Sequence, residues 1–341
     1  MIAQTVYTSF DAVDEIFLFR EESEEHNILY HILMDFSHVM VDLADDIFEE
    51  KIKSNPFLKA LVKREDKRTF GLETFFKNME EEDLSSFPRD IFILNRSASQ
   101  CDQMMEKNGV LVLPSSDLSG IDKLTRNYRK DLGKNEQVLN EKGLKGWDAY
   151  FFEAKLSPVS SLIMLDSYVL KNELGLKNII EVIRAVMPER LNSLFEILIV
   201  TDNRKNSYSQ EKIENIIEKI HQELDKTVDY PVSVGIVTSQ GIDEELHQRV
   251  LITNYHLTET NYGFDVFDDE GKTRKPNVIV SKGIYHTINP EEGDPEVKTV
   301  IRKLKAVKNL IEKNKNTSGN VKMGILAGEY SNRLLESFEQ A

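Results

Sequence analysis

Residues 161–200 read SLIMLDSYVLKNELGLKNIIEVIRAVMPERLNSLFEILIV, and this stretch sets the fold class. Leu162-Ile163-Met164-Leu165 is a continuous apolar run of strand length. Segment 176–187 has helical character and ends at Pro188, which cannot continue a helix. Phe195-Glu196-Ile197-Leu198-Ile199-Val200 is then a second apolar strand. Strand, helix, strand at this spacing predicts an α/β fold, a sheet of buried strands flanked by helices.

The same alternation continues downstream. Segment 209–224 predicts an amphipathic helix with apolar residues at 213, 216, 217, 220 and 224, with Ser209 as its N-cap. Strands follow at 232–238, 248–255, 263–267 and 277–284, and the tail predicts helices over 295–315 and 325–339. Upstream, Ile91-Phe92-Ile93-Leu94, a helix over 97–107 closed at Asn108-Gly109, and Val110-Leu111-Val112-Leu113 form a second crossover unit. A polar helix is expected through 117–140. Segments 27–34 and 39–41 are apolar enough for strands or a buried helix, and periodicity leaves both open. Gly143, Gly146 and Ser157-Pro158 bracket a boundary around Trp147, the only tryptophan. The expected organisation is a smaller acidic α/β domain over 1–145, a second α/β domain over 146–290, and partly basic C-terminal helices over 291–341.

The 341 residues are 40% hydrophobic and 30% charged, enough for a buried core and too apolar for a disordered chain. No apolar run approaches the ~20 residues of a membrane helix, and the N-terminus lacks the basic and apolar regions of a secretory signal. The lone Cys101 excludes an intramolecular disulfide framework and multi-cysteine metal sites and reads as a buried, inert thiol. A cytoplasmic protein with no membrane partner is expected. The net charge of −15 argues against adhesion of the whole molecule to polyanions. The acidic runs at 21–25 and 80–83 make the N-terminal half a candidate docking surface for a basic protein partner. By contrast Lys298, Arg302, Lys303, Lys305, Lys308, Lys313 and Lys315 form a basic stretch, a cationic face for phosphate or simply a solvated helix face.

The chemically pointed stretch is 246–264, LHQRVLITNYHLTETNYGF. In a strand, His247, Arg249 and Thr253 share one face. A guanidinium can hold two phosphate oxygens in a fork, and a neighbouring imidazole can attack phosphorus or relay a proton. Here the sequence resembles the phospholipase D superfamily, whose motif is His-x-Lys-x-x-x-x-Asp followed by a glycine-containing turn. This chain has His247, Arg249 in place of the Lys, Asn254 in place of the Asp, and then Gly263-Phe264. It looks most like the phospholipase-D-like domain at the C-terminus of MIT-domain proteins, and like prokaryotic proteins associated with phage defence. The resemblance covers about 147–290. It implies a phosphodiesterase, and more narrowly a metal-independent nuclease in antiviral defence, with His247, Arg249 and Asn254 as site residues and no cofactor. The family's reaction uses two histidines from two motif copies. No second His-x-Lys or His-x-Arg occurs here, so turnover implies a homodimer sharing one site. The alternative is a non-catalytic subunit that binds a phosphorylated ligand, nucleic acid or partner.

Other candidates are Asp42, Asp45, Asp46 and Glu49, at helical spacing and able to offer oxygen ligands to a divalent ion, with Asp35 beside them. An acidic helix start is their simpler explanation. His31 and His38 lack zinc-ligand spacing. Asp166 and Asp202 stand at predicted strand C-termini, where α/β sheets place ligands. Gly-rich phosphate loops, Gly-x-Ser-x-Gly elbows and dinucleotide fingerprints are absent from the sequence.

Overall fold

The computed structural model describes residues 4–63, 69–71, 73, 83–156, 158–168, 170–203, 208–239, 246, 249–288, 295–316 and 324–336. The fold is α/β, with two sheets flanked by helices. One compact unit takes the chain up to Asp122; the other takes Lys123–His286 and Pro295–Glu336. The 145/146 position therefore lies inside the second unit. The basic C-terminal helix belongs to that unit too.

The first unit holds β1 (Gln4–Thr8), β2 (Ser37–Val41), β3 (Thr69–Gly71), β4 (Ile91–Leu94) and β5 (Leu111–Pro114). All pairs are parallel, in the order β3-β2-β1-β4-β5. The crossover anticipated from residue 91 onward is present. Helix Ala98–Asn108 starts at a capping box between Ser97 and Gln100 and ends at Gly109, whose φ of 63° suits a residue without a Cβ. Segment 27–41, open in the sequence, divides into three. Helix Glu24–His31 runs into a single π-helical turn, Ile32–Phe36, and then into β2. The Ser37 hydroxyl donates to the Ile32 carbonyl at 2.9 Å and closes that turn. Ile28, Leu29, Ile32 and Leu33 are all buried, one face of the helix and of the turn that continues it.

The second unit builds one mixed sheet from β6 (Asn127–Leu132), β7 (Ser161–Leu165), β8 (Phe195–Asp202), β9 (Val232–Ser239), β10 (Val250–Thr253), β11 (His256–Thr260), β12 (Asn277–Gly283) and β13 (Leu326–Gly328). Their order is β13-β9-β8-β7-β10-β11-β12-β6. Strands β7, β8 and β9 are parallel and the remaining pairs antiparallel. Helix Glu173–Val186 is capped by Asn172 and stops at Met187, the residue before Pro188. Helix Gln210–Leu224 is capped by Ser209 and buries Ile213, Ile216, Ile217, Ile220 and Leu224, the face read from the sequence. Trp147, 1% exposed, sits in the core with Phe151, Phe264 and Phe267 around it.

Three segments differ from expectation. The helix anticipated over 117–140 is instead a short turn, helix Asp122–Thr125, and β6. Residues 127–132 alternate between exposed and half-buried until Leu132, the pattern of a charged edge strand, paired on one side only by β12. Residues 263–267 form a loop with one isolated bridge, Phe267 to Thr273. The tail after 324 contributes β13 and helix Arg333–Glu336, and 337–341 lie outside the described residues. Among the described residues no helix is long and apolar enough to cross a membrane.

Candidate functional site

The register of β10 against β7 pairs Val250 with Leu165 and Thr253 with Leu162. Continued one residue, it sets Arg249 across from Asp166, at the C-terminal ends of the parallel strands β7, β8 and β9. Asp202 ends β8 next door, in register with Ser239. This is the edge at which parallel strands present ligands, because the loops diverge there.

Asp166 is 2% exposed. Its Oδ1 accepts the Tyr168 N–H at 2.9 Å and its Oδ2 accepts the Phe264 N–H at 3.1 Å. Burial pushes its carboxyl up, against the pull of those two N–H groups and of the nearby Arg249. Gly263 makes the second hydrogen bond possible. Its φ is +87°, and a Cβ there would lie 2.5 Å from Asp166 Oδ2. Arg249 Nη1 donates to the Asn261 carbonyl, and its guanidinium lies 5.9 Å from the Tyr168 ring centroid. Arg249 as a whole is half-buried. Tyr208, after β8, donates its N–H to Asn203 Oδ1 at 2.6 Å. Burial, with Asp166 and Asp202 nearby, raises its hydroxyl well above the usual tyrosine range.

His247 and Gln248 lie outside the described residues. Asn254 is placed at the opposite edge of the sheet. Five residues separate it from Arg249, about 17 Å along a strand. It is 0% exposed. Its Oδ1 accepts the Ser160 and Ser161 N–H groups at 2.9 and 3.2 Å, and its Nδ2 donates to Ser160 Oγ at 2.9 Å. The side chain ties β10 to the start of β7, and the structure does not bring it together with Arg249. Asn254→Ala should cost about 2–4 kcal/mol by leaving two buried N–H groups unmatched. Phosphate affinity of the folded variant should stay within about twofold of the parent's. Titration with inorganic phosphate beside urea unfolding checks this; weakened binding with intact stability would return Asn254 to the site.

No family model matches the chain, and no curated protein does. Among solved structures, the phosphatidylserine synthase of Haemophilus influenzae Rd KW20 aligns over 96% of this chain and 83% of its own, with 9% identity and a TM-score of 0.29. A similarity that loose carries no conclusion about this chain.

The remaining candidates lie on other elements of the two units. Asp45 and Asp46 are exposed in the first turn of helix Asp45–Ser54, and Glu49 is exposed one turn on. Among the described residues no three His, Cys, Asp or Glu side chains are grouped to hold a metal ion. His31 Nδ1 lies 3.1 Å from Asp35 Oδ2 at the end of helix Glu24–His31, whereas His38 is on β2, beyond the π-helical turn. Cys101 is buried, and burial pushes its thiol up to about 11, which leaves it protonated and unreactive at neutral pH. Helix Glu296–Lys315 exposes Lys298, Arg302, Lys305, Lys313 and Lys315, while Lys303 is fully buried. Residue type and position along the chain single out Asp166 and Gly263 separately. Only the strand register joins them to Arg249.

Proposed function

We propose that the second unit binds a phosphodiester at the C-terminal edge of its sheet and cleaves it, with Arg249 holding the phosphate and His247 acting on phosphorus. The observation that supports this is the position of Arg249: at the end of the sheet where three parallel strands finish, across from the buried Asp166, and itself half-buried. The resemblance of 246–264 to phospholipase D proteins supplies the expected chemistry, phosphoryl transfer through histidine without a metal. The narrower assignment, a nuclease of antiviral defence, follows from that resemblance alone. With one motif per chain, turnover needs two chains to share a site, so activity should track a dimer.

The test is a panel of phosphodiesters with EDTA present. Turnover should survive the chelator and disappear in His247→Ala. Arg249→Ala should weaken binding about 10- to 100-fold through loss of charge-assisted hydrogen bonds. Retained cleavage in His247→Ala, or cleavage abolished by EDTA, would sink the catalytic reading.

A second reading, a non-catalytic binding subunit, is favoured by the single His-x-Arg in the chain, since the reaction implied by the resemblance needs two histidines. It expects the same Arg249-dependent binding with no turnover by the parent protein.

A further inference from the structure

Three tyrosines follow three strands on the Arg249 edge of the second unit's sheet. Tyr168 follows β7, Tyr208 follows β8, and Tyr262 follows β11, which runs in the same direction as β7 because both pair antiparallel with β10. Each tyrosine has a cation over its ring. The Arg249 guanidinium is 5.9 Å from the Tyr168 centroid, Lys212 Nζ is 5.0 Å from Tyr208, and Lys275 Nζ is 5.0 Å from Tyr262. From β8 to β11 is three strand spacings, about 14 Å. Each ring at this edge thus carries a cation of its own.

The three rings differ in access. Tyr208 is buried, Tyr168 is half-buried, and Tyr262 is 53% exposed. The position of Tyr262 is tied to the phosphate site. Its predecessor, Asn261, supplies the carbonyl that holds Arg249, and its successor, Gly263, packs on Asp166. An exposed ring on the residue next to the carbonyl that holds Arg249 suits a ligand in which flat, π-faced groups alternate with phosphates. Single-stranded nucleic acid has that repeat, and base stacking on an aromatic ring contributes strongly to its affinity whatever the base. A lipid phosphodiester has the phosphate but no ring to stack.

We infer that the phosphodiester bound at this edge belongs to a single-stranded nucleic acid, with Tyr262 stacking the base next to the phosphate held by Arg249. This inference rests on the phosphodiester reading of the Arg249 edge and names its ligand class.

The experiment measures anisotropy of the full chain with a labelled oligothymidylate and with an abasic deoxyribose-phosphate oligomer, each of about 12 nucleotides. Flotation with phosphatidylglycerol vesicles is the lipid arm. The oligothymidylate should bind at least about fivefold more tightly than the abasic strand. Tyr262→Ala should remove that difference, Tyr262→Trp should keep it, and neither substitution should move the thermal midpoint, since the ring is exposed. Arg249→Ala should weaken both strands alike. Equal binding of the two strands by the parent protein overturns the inference while leaving the phosphate reading intact. A Tyr262 effect without an Arg249 effect leaves the stacking and overturns the phosphate reading. Capture by vesicles with no binding of either oligomer overturns the inference in favour of a lipid.

Discussion

Gly263→Ala should destabilise the second unit by about 3–4 kcal/mol and abolish phosphate binding at its edge. Two effects add. The backbone at 263 has φ +87°, a region where a Cβ is strained by about 1–2 kcal/mol. The new methyl also meets Asp166 Oδ2 at 2.5 Å, so either the turn or the carboxylate must move. Movement breaks the Phe264 N–H bond to a buried carboxylate, a loss of about 1.5–3 kcal/mol. The same movement shifts Asn261, whose carbonyl anchors Arg249. Trp147 is the only tryptophan and lies 5.7 Å from the Phe264 ring, so its fluorescence reports this unit's unfolding directly. Urea titration followed at Trp147 gives the stability, and phosphate titration gives the binding. A variant as stable as the parent would mean that the turn does not depend on Gly263.

In the first unit, Asp90→Asn should raise stability at pH 8 and leave it unchanged near pH 4. Asp90 precedes β4, and its Oδ1 accepts the Thr5 N–H of β1 at 2.8 Å. Burial pushes its carboxyl from the ordinary 3.8 up to about 7, despite that hydrogen bond and the neighbouring Arg89. A carboxyl raised by folding contributes stability that is fully present below pH 3.8 and lost as pH rises through about 7. At about 1.4 kcal/mol per pH unit the full span is about 4 kcal/mol. The residue as a whole is only half-buried, and about 2–3 kcal/mol is the expected gain. Asparagine keeps an oxygen for Thr5 and carries no charge at any of these pH values. Urea unfolding by far-ultraviolet circular dichroism at pH 4 and pH 8, with Trp147 fluorescence as the unaffected control, is the measurement. Equal stabilities of parent and variant at pH 8 would show that the carboxyl is solvated in the fold.

Helices with strong local signals are legible in the sequence alone. Pro188 and Ser209 mark helix ends by backbone chemistry that needs no tertiary partner, and the apolar face at 213, 216, 217, 220 and 224 is the face that is buried. Strand β6 is not legible in that way. A charged edge strand looks like a polar helix until its partner β12 is known. Segment 27–41 is ambiguous for another reason, because a helix, a π-helical turn and a strand follow one another there and no single period runs through it.

Residue type and spacing along the chain suffice for the fold class, for the likeness of 246–264 to a phosphodiesterase motif, and for the choice of Arg249, Asp166 and Gly263 as residues of interest. Which of them act together is decided by strand pairing. Antiparallel register brings Arg249 beside Asp166, 83 residues earlier, and carries Asn254, five residues later, to the far edge of the sheet. Contacts across a sheet depend on register, and register is set by the burial of both partners, which no single stretch of sequence contains.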